Sequence, residues 1–144
     1  MAVSVRKITL WRSEVPNRPG MVAGALAALA QAGADLKVVM AYRFPGDESR
    51  GAVELYPVTG KRAQTAARRA GLSDSGIPTL LVYGDDRPGV GAAIARGIAE
   101  AGINLAFFVA QVVSRRYTAV IGFDSEADAK KAATLIKKAK PPKK

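Results

Sequence analysis

Two stretches decide the fold: VPNRPGMVAGALAALAQAGADL, Val15 to Leu36, and GDDRPGVGAAIARGIAEAGINL, Gly84 to Leu105. Both hold Arg-Pro-Gly, a later Ala-Gly and a closing leucine, and the intervals Arg18 to Arg87, Gly33 to Gly102 and Leu36 to Leu105 are each 69 residues. A repeat of this register without a gap means that the chain builds one supersecondary unit twice, and it is read before any single element.

Working outward from the repeat, Val5 to Trp11 alternates apolar and polar residues and is rich in β-branched types, as a half-buried strand should be. Beyond Pro19-Gly20, Val22, Ala25, Leu26 and Leu29 recur at helical spacing, and Gly33 stands where a left-handed C-cap is needed. Leu36 to Phe44 predicts a second strand, the turn residues PGDESR follow, and GAVELYPV predicts a third strand returning as a hairpin. Thr59 is placed to cap a helix with Ala63, Ala66, Ala67 and Ala70 on its buried face. The second half repeats the order, with strands at Thr79–Tyr83, Leu105–Val113 and Tyr117–Phe123. Ser125 and Asp128 have capping-box spacing before a final helix with Ala129, Ala132, Ala133 and Ile136 inward.

Each half thus reads β-α-β-β-α, which predicts an α+β class: a tandem ferredoxin-like sandwich, antiparallel sheet with both helices on one face. The expected modules are residues 1–72 and 73–140, with a basic tail at 141–144. A fourth strand per module has no good segment and is expected to be vestigial or supplied from elsewhere. An unpaired edge of this kind is one that a partner chain can cover, so a homodimer is expected.

Composition narrows the chemistry. The 144 residues contain no cysteine and no histidine, which removes disulfides, thiolate ligands and the commonest general base and metal ligand. No apolar run is long enough to span a membrane, and MAVSVRKITLW lacks the features of a secretory signal, so a cytoplasmic protein is expected. The net charge of +10 invites nucleic acid as a partner, but five lysines lie in the last eight residues, KKAKPPKK, and read as a solvated tail or a weak polyanion contact.

The turn, the apolar helix, the Ala-Gly-x-Asn/Asp-Leu segment and the hairpin together resemble the ACT domain family, regulatory modules that bind amino acids, over nearly the whole chain in two copies. The pattern is similar to the serine-binding form found in the regulatory domain of phosphoglycerate dehydrogenase. There an Asn-Arg-Pro-Gly turn and an asparagine opening the second strand carry the ligand contacts. The resemblance implies ligand-binding positions at Asn17, Arg18, Gly20, Met21, Asp35 and Leu36 and, in the second copy, at Asp86, Arg87, Gly89, Val90, Asn104 and Leu105. It also implies modules side by side with a continuous sheet, so that Asn17 would meet Asn104 and Asp86 would meet Asp35. Only the first pairing suits an α-carboxylate, because two facing carboxylates repel one. The histidine that the family carries two positions before the asparagine is Val15 here, a departure from the serine-binding pattern. Asn17 and Asp86 equally fit as plain helix N-caps, Arg18 and Arg87 as solvated cations, and Met21 and Val90 as core residues.

Two other classes are weighed. An RNA-binding module shares the ferredoxin-like frame, but neither third strand carries the aromatic pattern such modules use for base stacking. GVGAAI, Gly89 to Ile94, imitates a dinucleotide fingerprint but lacks its third glycine and the acidic residue farther on. No residue is singled out as catalytic, and no cofactor or metal is expected. The reading is a non-catalytic sensor of a small amino acid whose output passes to a regulated enzyme or another copy of itself.

Overall fold

The computed structural model describes residues 3–139. Its elements run β1 (Ser4–Ile8), β2 (Trp11–Pro16), α1 (Met21–Gln31), β3 (Val38–Phe44), β4 (Asp47–Tyr56), α2 (Lys61–Arg69), β5 (Ser73–Asp74), β6 (Thr79–Asp85), α3 (Val90–Glu100), β7 (Leu105–Val113), β8 (Arg116–Phe123) and α4 (Glu126–Lys138). The β-α-β-β-α order therefore occurs twice, from β2 to α2 and from β6 to α4. Eight strands form two antiparallel four-stranded sheets, in the orders β3-β4-β2-β5 and β1-β6-β8-β7.

Two compact units result, one continuous from Thr9 to Gly76 and one split between the residues up to Ile8 and those from Ile77 on. The expected boundary between 72 and 73 is replaced by breaks after Ile8 and Gly76. The alternating run Val5 to Trp11 is two strands rather than one. Its first half, β1, pairs along all five residues with β6, from Ser4 opposite Tyr83 to Ile8 opposite Thr79. Its second half, from Trp11 on, belongs to β2, which pairs with β4.

The fourth strands are thereby accounted for. In the continuous unit the fourth strand is the two-residue β5, bonded to β2 at Trp11 and Arg12, and in the split unit it is β1, brought from the start of the chain. The continuous sheet implied by the resemblance is corrected for the same reason: the segment that precedes β2 is engaged with β6, and backbone pairing closes within each sheet.

Each core follows from the two periodicities. In the continuous unit Val53 and Leu55 of β4 meet Leu29 of α1 and Ala63 and Ala67 of α2, with Trp11, Val58 and Leu72. In the split unit Leu80, Val82, Ala119, Ile121 and Phe123 meet Val90, Ile94 and Ile98 of α3 and Ala129, Ala132 and Ile136 of α4. α2 meets the core through alanines, whereas α3 contributes two isoleucines and α4 combines two alanines with Ile136.

Caps hold at some places and are corrected at others. Ser125 caps α4, its hydroxyl accepting from the Asp128 N–H at 3.0 Å, and Gly33 takes the left-handed conformation expected after α1, at φ 82°. Asn17, Asp86 and Thr59 cap nothing. The residues preceding α1, α3 and α2 are Gly20, Gly89 and Gly60, all at positive φ and without a side-chain cap. The hairpin turn after β3 is also shorter than PGDESR, since β4 begins at Asp47. The expected tail at 141–144 lies outside the described residues. Among the described residues no helix is long and apolar enough to cross a membrane.

Candidate functional site

In the continuous unit, β2 ends at Pro16 and the chain must turn before α1. The backbone N–H of Asn17 donates to the Ser49 carbonyl at 2.8 Å, and Arg18 N–H donates to the Pro16 carbonyl at 3.1 Å. The Asn17 amide nitrogen donates to the Glu48 carbonyl, also at 2.8 Å. This leaves the side-chain oxygen, Oδ1, as the acceptor the turn presents. Asn17 is therefore a strap between the turn and the start of β4.

The strap has a firm anchor. Asp47 accepts from the Ser49 hydroxyl at 2.5 Å and from the Ser49 N–H at 3.1 Å. Those bonds hold the Asp47 carboxyl below its ordinary range. Arg18 reaches the first residue of α1, its Nε 3.5 Å from Met21 Sδ. Gly20, at φ 92°, then admits the chain to α1.

The turn, the first residues of α1 and the hairpin strands enclose a cleft of about 460 Å³, lined by Val15, Pro16, Asn17, Arg18, Met21 and Val22 and, from β3 and β4, by Ala41, Tyr42, Arg43, Gly51, Ala52 and Val53. Two arginines line it and no carboxylate does, so the wall favours an anion. Val15, Met21, Val22 and Val53 give the same space an apolar side. Gly51 sits opposite Val15 on one side and Arg43 on the other. A Cβ at Gly51 would collide with the Tyr42 carbonyl, so only glycine permits this approach of β3 to β4.

Of the residues expected from the resemblance, Asn17, Arg18 and Met21 come together on this cleft, and Gly20 sets the helix start beside it. Asp35 and Leu36 do not: they precede β3, at the end of that strand away from the hairpin. There Asp35 is paired with Lys37 at 2.6 Å, and Leu36 packs against the core. In the split unit the turn repeats the backbone bond of the strap, with Asp86 N–H donating to the Arg115 carbonyl at 2.8 Å. Arg87 is exposed, Gly89 precedes α3 at φ 86°, and Val90 is a core residue. Asn104 and Leu105 are exposed where β7 begins.

The cleft walls Tyr42, Arg43, Gly51 and Val53 are additions to the residues expected. The missing signal was the register of β4 with its two neighbours, which sets Gly51 across from Val15 of β2 and Arg43 of β3. A second feature of β3 and β4 was also unforeseen. Glu54 is fully buried. Its Oε2 accepts from the Tyr42 hydroxyl at 2.7 Å, whereas Oε1 has no partner. Burial first, and then the bond to Glu54, raise the Tyr42 pKa. Arg12, cross-strand from Glu54, binds Glu14 at 2.9 Å and lies over the Phe44 ring at 5.6 Å. Among the described residues no group of three or more acidic, histidine or cysteine side chains could hold a metal ion.

No family model matches the chain, and no curated protein matches it in sequence. Solved structures do. The regulatory subunit of aspartate kinase from Thermus thermophilus, in its ligand-free form, is similar to this chain with TM-score 0.67 at 18% identity, over 96% of this chain and 97% of that one. A Bacteroides thetaiotaomicron protein is similar with TM-score 0.75 at 11% identity, over 90% and 88%. A C-terminal regulatory domain assigned to aspartate kinase of Porphyromonas gingivalis follows with TM-score 0.59 at 11% identity, over 96% and 95%. The fold is that of tandem ACT-type regulatory domains, and these identities carry the fold alone.

Proposed function

We propose that this chain is a non-catalytic regulatory protein of the cytoplasm that binds a small amino acid at the Asn17 turn and passes that signal to an enzyme or to another copy of itself. The observation that carries the reading is the cleft beneath the turn, with Arg18 and Arg43 on its wall and no carboxylate. An α-carboxylate is matched by the arginines, and Asn17 Oδ1, turned free by the bond from Asn17 Nδ2 to Glu48, is an acceptor for the ammonium. The fold shared with chains described as regulatory subunits and domains of aspartate kinase supports a regulatory output, and an aspartate-kinase-like enzyme is the model for the partner.

Signalling requires that the ligand bind one conformation better than another, and the turn is suited to that. Its bonds to the start of β4 are made through Asn17, so a ligand that grips both sides of the cleft would favour the conformation in which they stand together. The exposed apolar residues Val109, Val112 and Val113 on the edge strand β7 support assembly with a second copy.

The test is a thermal-shift screen of the full chain against the amino acids, repeated with Asn17→Ala and Asn104→Ala. One amino acid should raise the melting temperature in a concentration-dependent way, and Asn17→Ala should abolish the rise. Asn104→Ala, in the other unit, is the control and should leave the rise in place. No response to any amino acid would overturn the proposal.

A further inference from the structure

The two halves of the repeat differ at one position in a way that identifies what the cleft accommodates. In the continuous unit β2 and β4 pair with Val15 opposite Gly51, and in the split unit the corresponding pair is Gly84 opposite Tyr117. Gly51 and Tyr117 are thus the same place in the fold, occupied once by no side chain and once by a phenol.

That phenol lies inward. Tyr117 is buried among Val90, Ile94 and the sheet residues. Its ring runs along the first turn of α3, where a Cβ built on Gly91 would come 3.4 Å from its hydroxyl oxygen. Gly91 corresponds to Val22 and Val90 to Met21 in the register of 69, and Met21 and Val22 line the cleft of the continuous unit. The Tyr117 hydroxyl ends with no hydrogen-bond partner, under the influence of Asp86, the counterpart of Asn17. The split unit therefore fills with its own ring the volume that the continuous unit leaves open.

We infer that the cleft of the continuous unit takes a ligand that carries both a six-membered ring and a carboxylate, the ring lying where the split unit holds Tyr117 and the carboxylate meeting Arg18 and Arg43. The inference rests on the reading of this cleft as the ligand site and names the class of ligand. Size allows it: an apolar cavity of about 150 Å³ already admits benzene, and this cleft measures about 460 Å³. Its apolar wall at Val15, Met21 and Val53 suits a ring, and its two arginines set the charge of the other end. The chain also cannot plug this cleft as it plugs the other, because any side chain at residue 51 runs into the Tyr42 carbonyl.

A ring-bearing carboxylate arises with or without an α-ammonium, so the experiment is calorimetric titration of the full chain with L-phenylalanine, 3-phenylpropanoate and L-serine. At least one ring-bearing probe should bind at one per chain. Val22→Trp, which fills the cleft from an exposed position, and Arg43→Gln, which removes charge and keeps length, should each weaken that binding at least tenfold. Preference for L-phenylalanine assigns the ammonium to Asn17, and preference for 3-phenylpropanoate assigns a simple acid. In Tyr117→Ala, if it folds, p-cresol should bind at the vacated place. Binding of L-serine without either ring-bearing probe would overturn the ring inference and leave the amino-acid reading standing. Ring-bearing probes that bind Val22→Trp as tightly as the unaltered chain would overturn the cleft as their site.

Discussion

Removing the Tyr42 hydroxyl should cost this protein far more than an exposed tyrosine normally would, and a second substitution should cancel the cost. Glu54 is wholly excluded from solvent, and among the described residues the one hydrogen bond to its carboxylate is the 2.7 Å bond from Tyr42 to Oε2. Tyr42→Phe leaves both carboxylate oxygens without a donor. A hydrogen bond to a charged group contributes about 1.5–3 kcal/mol, and the stranded group bears the larger share of that loss. Glu54→Met removes the carboxylate and keeps the volume, so it should lie within about 1 kcal/mol of the unaltered chain or above it, since a buried ion replaced by a packed apolar group is often no loss. In the Met background Tyr42→Phe should then cost only a few tenths of a kcal/mol. Urea unfolding of the four proteins closes the cycle, with an expected coupling of about 1.5–3 kcal/mol. Equal cost of Tyr42→Phe in both backgrounds would refute the reasoning.

Burial and hydrogen bonding elsewhere in the molecule set three further outcomes. Tyr117→Phe removes a buried hydroxyl without a partner and should leave stability at neutral pH unchanged or raise it by about 1 kcal/mol. Burial, and then the charge of Asp86, raise the Tyr117 pKa, so the folded state keeps its proton to higher pH than the unfolded chain. That stability is present below about pH 10 and is lost as pH rises through the raised value; urea midpoints across this range should fall less steeply for Tyr117→Phe. Ser125→Ala should cost about 1 kcal/mol in the same assay, because the Asp128 N–H loses its acceptor. Deleting residues 1–8 should lower the unfolding midpoint and promote aggregation seen by light scattering, since β6 loses one of its two partner strands, becomes a free edge, and the core loses the buried Ile8. A synthetic SVRKITL peptide should restore the midpoint by re-forming that ladder.

Most of the architecture was legible because the repeat is local: a turn, a helix stripe and a hairpin each announce themselves within about twenty residues. What failed to show was non-local. Val5 to Trp11 is one short run of strand-forming residues with no glycine, proline or other turn residue in it, so nothing within it reveals that Ile8 ends one strand and Trp11 begins another in a different sheet. The helix starts misled for a different reason. Asn17, Asp86 and Thr59 are good capping residues by type, yet positive-φ glycine occupies the capping position each time, and the Asn17 amide is drawn instead to the Glu48 carbonyl. The turn of the candidate site was legible in Asn17, Arg18 and Met21. Its far wall was not, because Arg43 and Gly51 reach it only through the register of β3 and β4. The same register makes Tyr117 the counterpart of Gly51, which no alignment by the spacing of 69 would show, since these two residues lie 66 apart.

The central claim is that a small carboxylate-bearing molecule settles against the Asn17 turn. It is tested most directly by mapping amide shifts of the isotope-labelled chain during titration with the amino acid that most raises its melting temperature. Saturable shifts should concentrate at Asn17, Arg18, Met21, Val22 and Gly51 and be absent in Asn17→Ala. Shifts that leave this group untouched while the ligand saturates would contradict it.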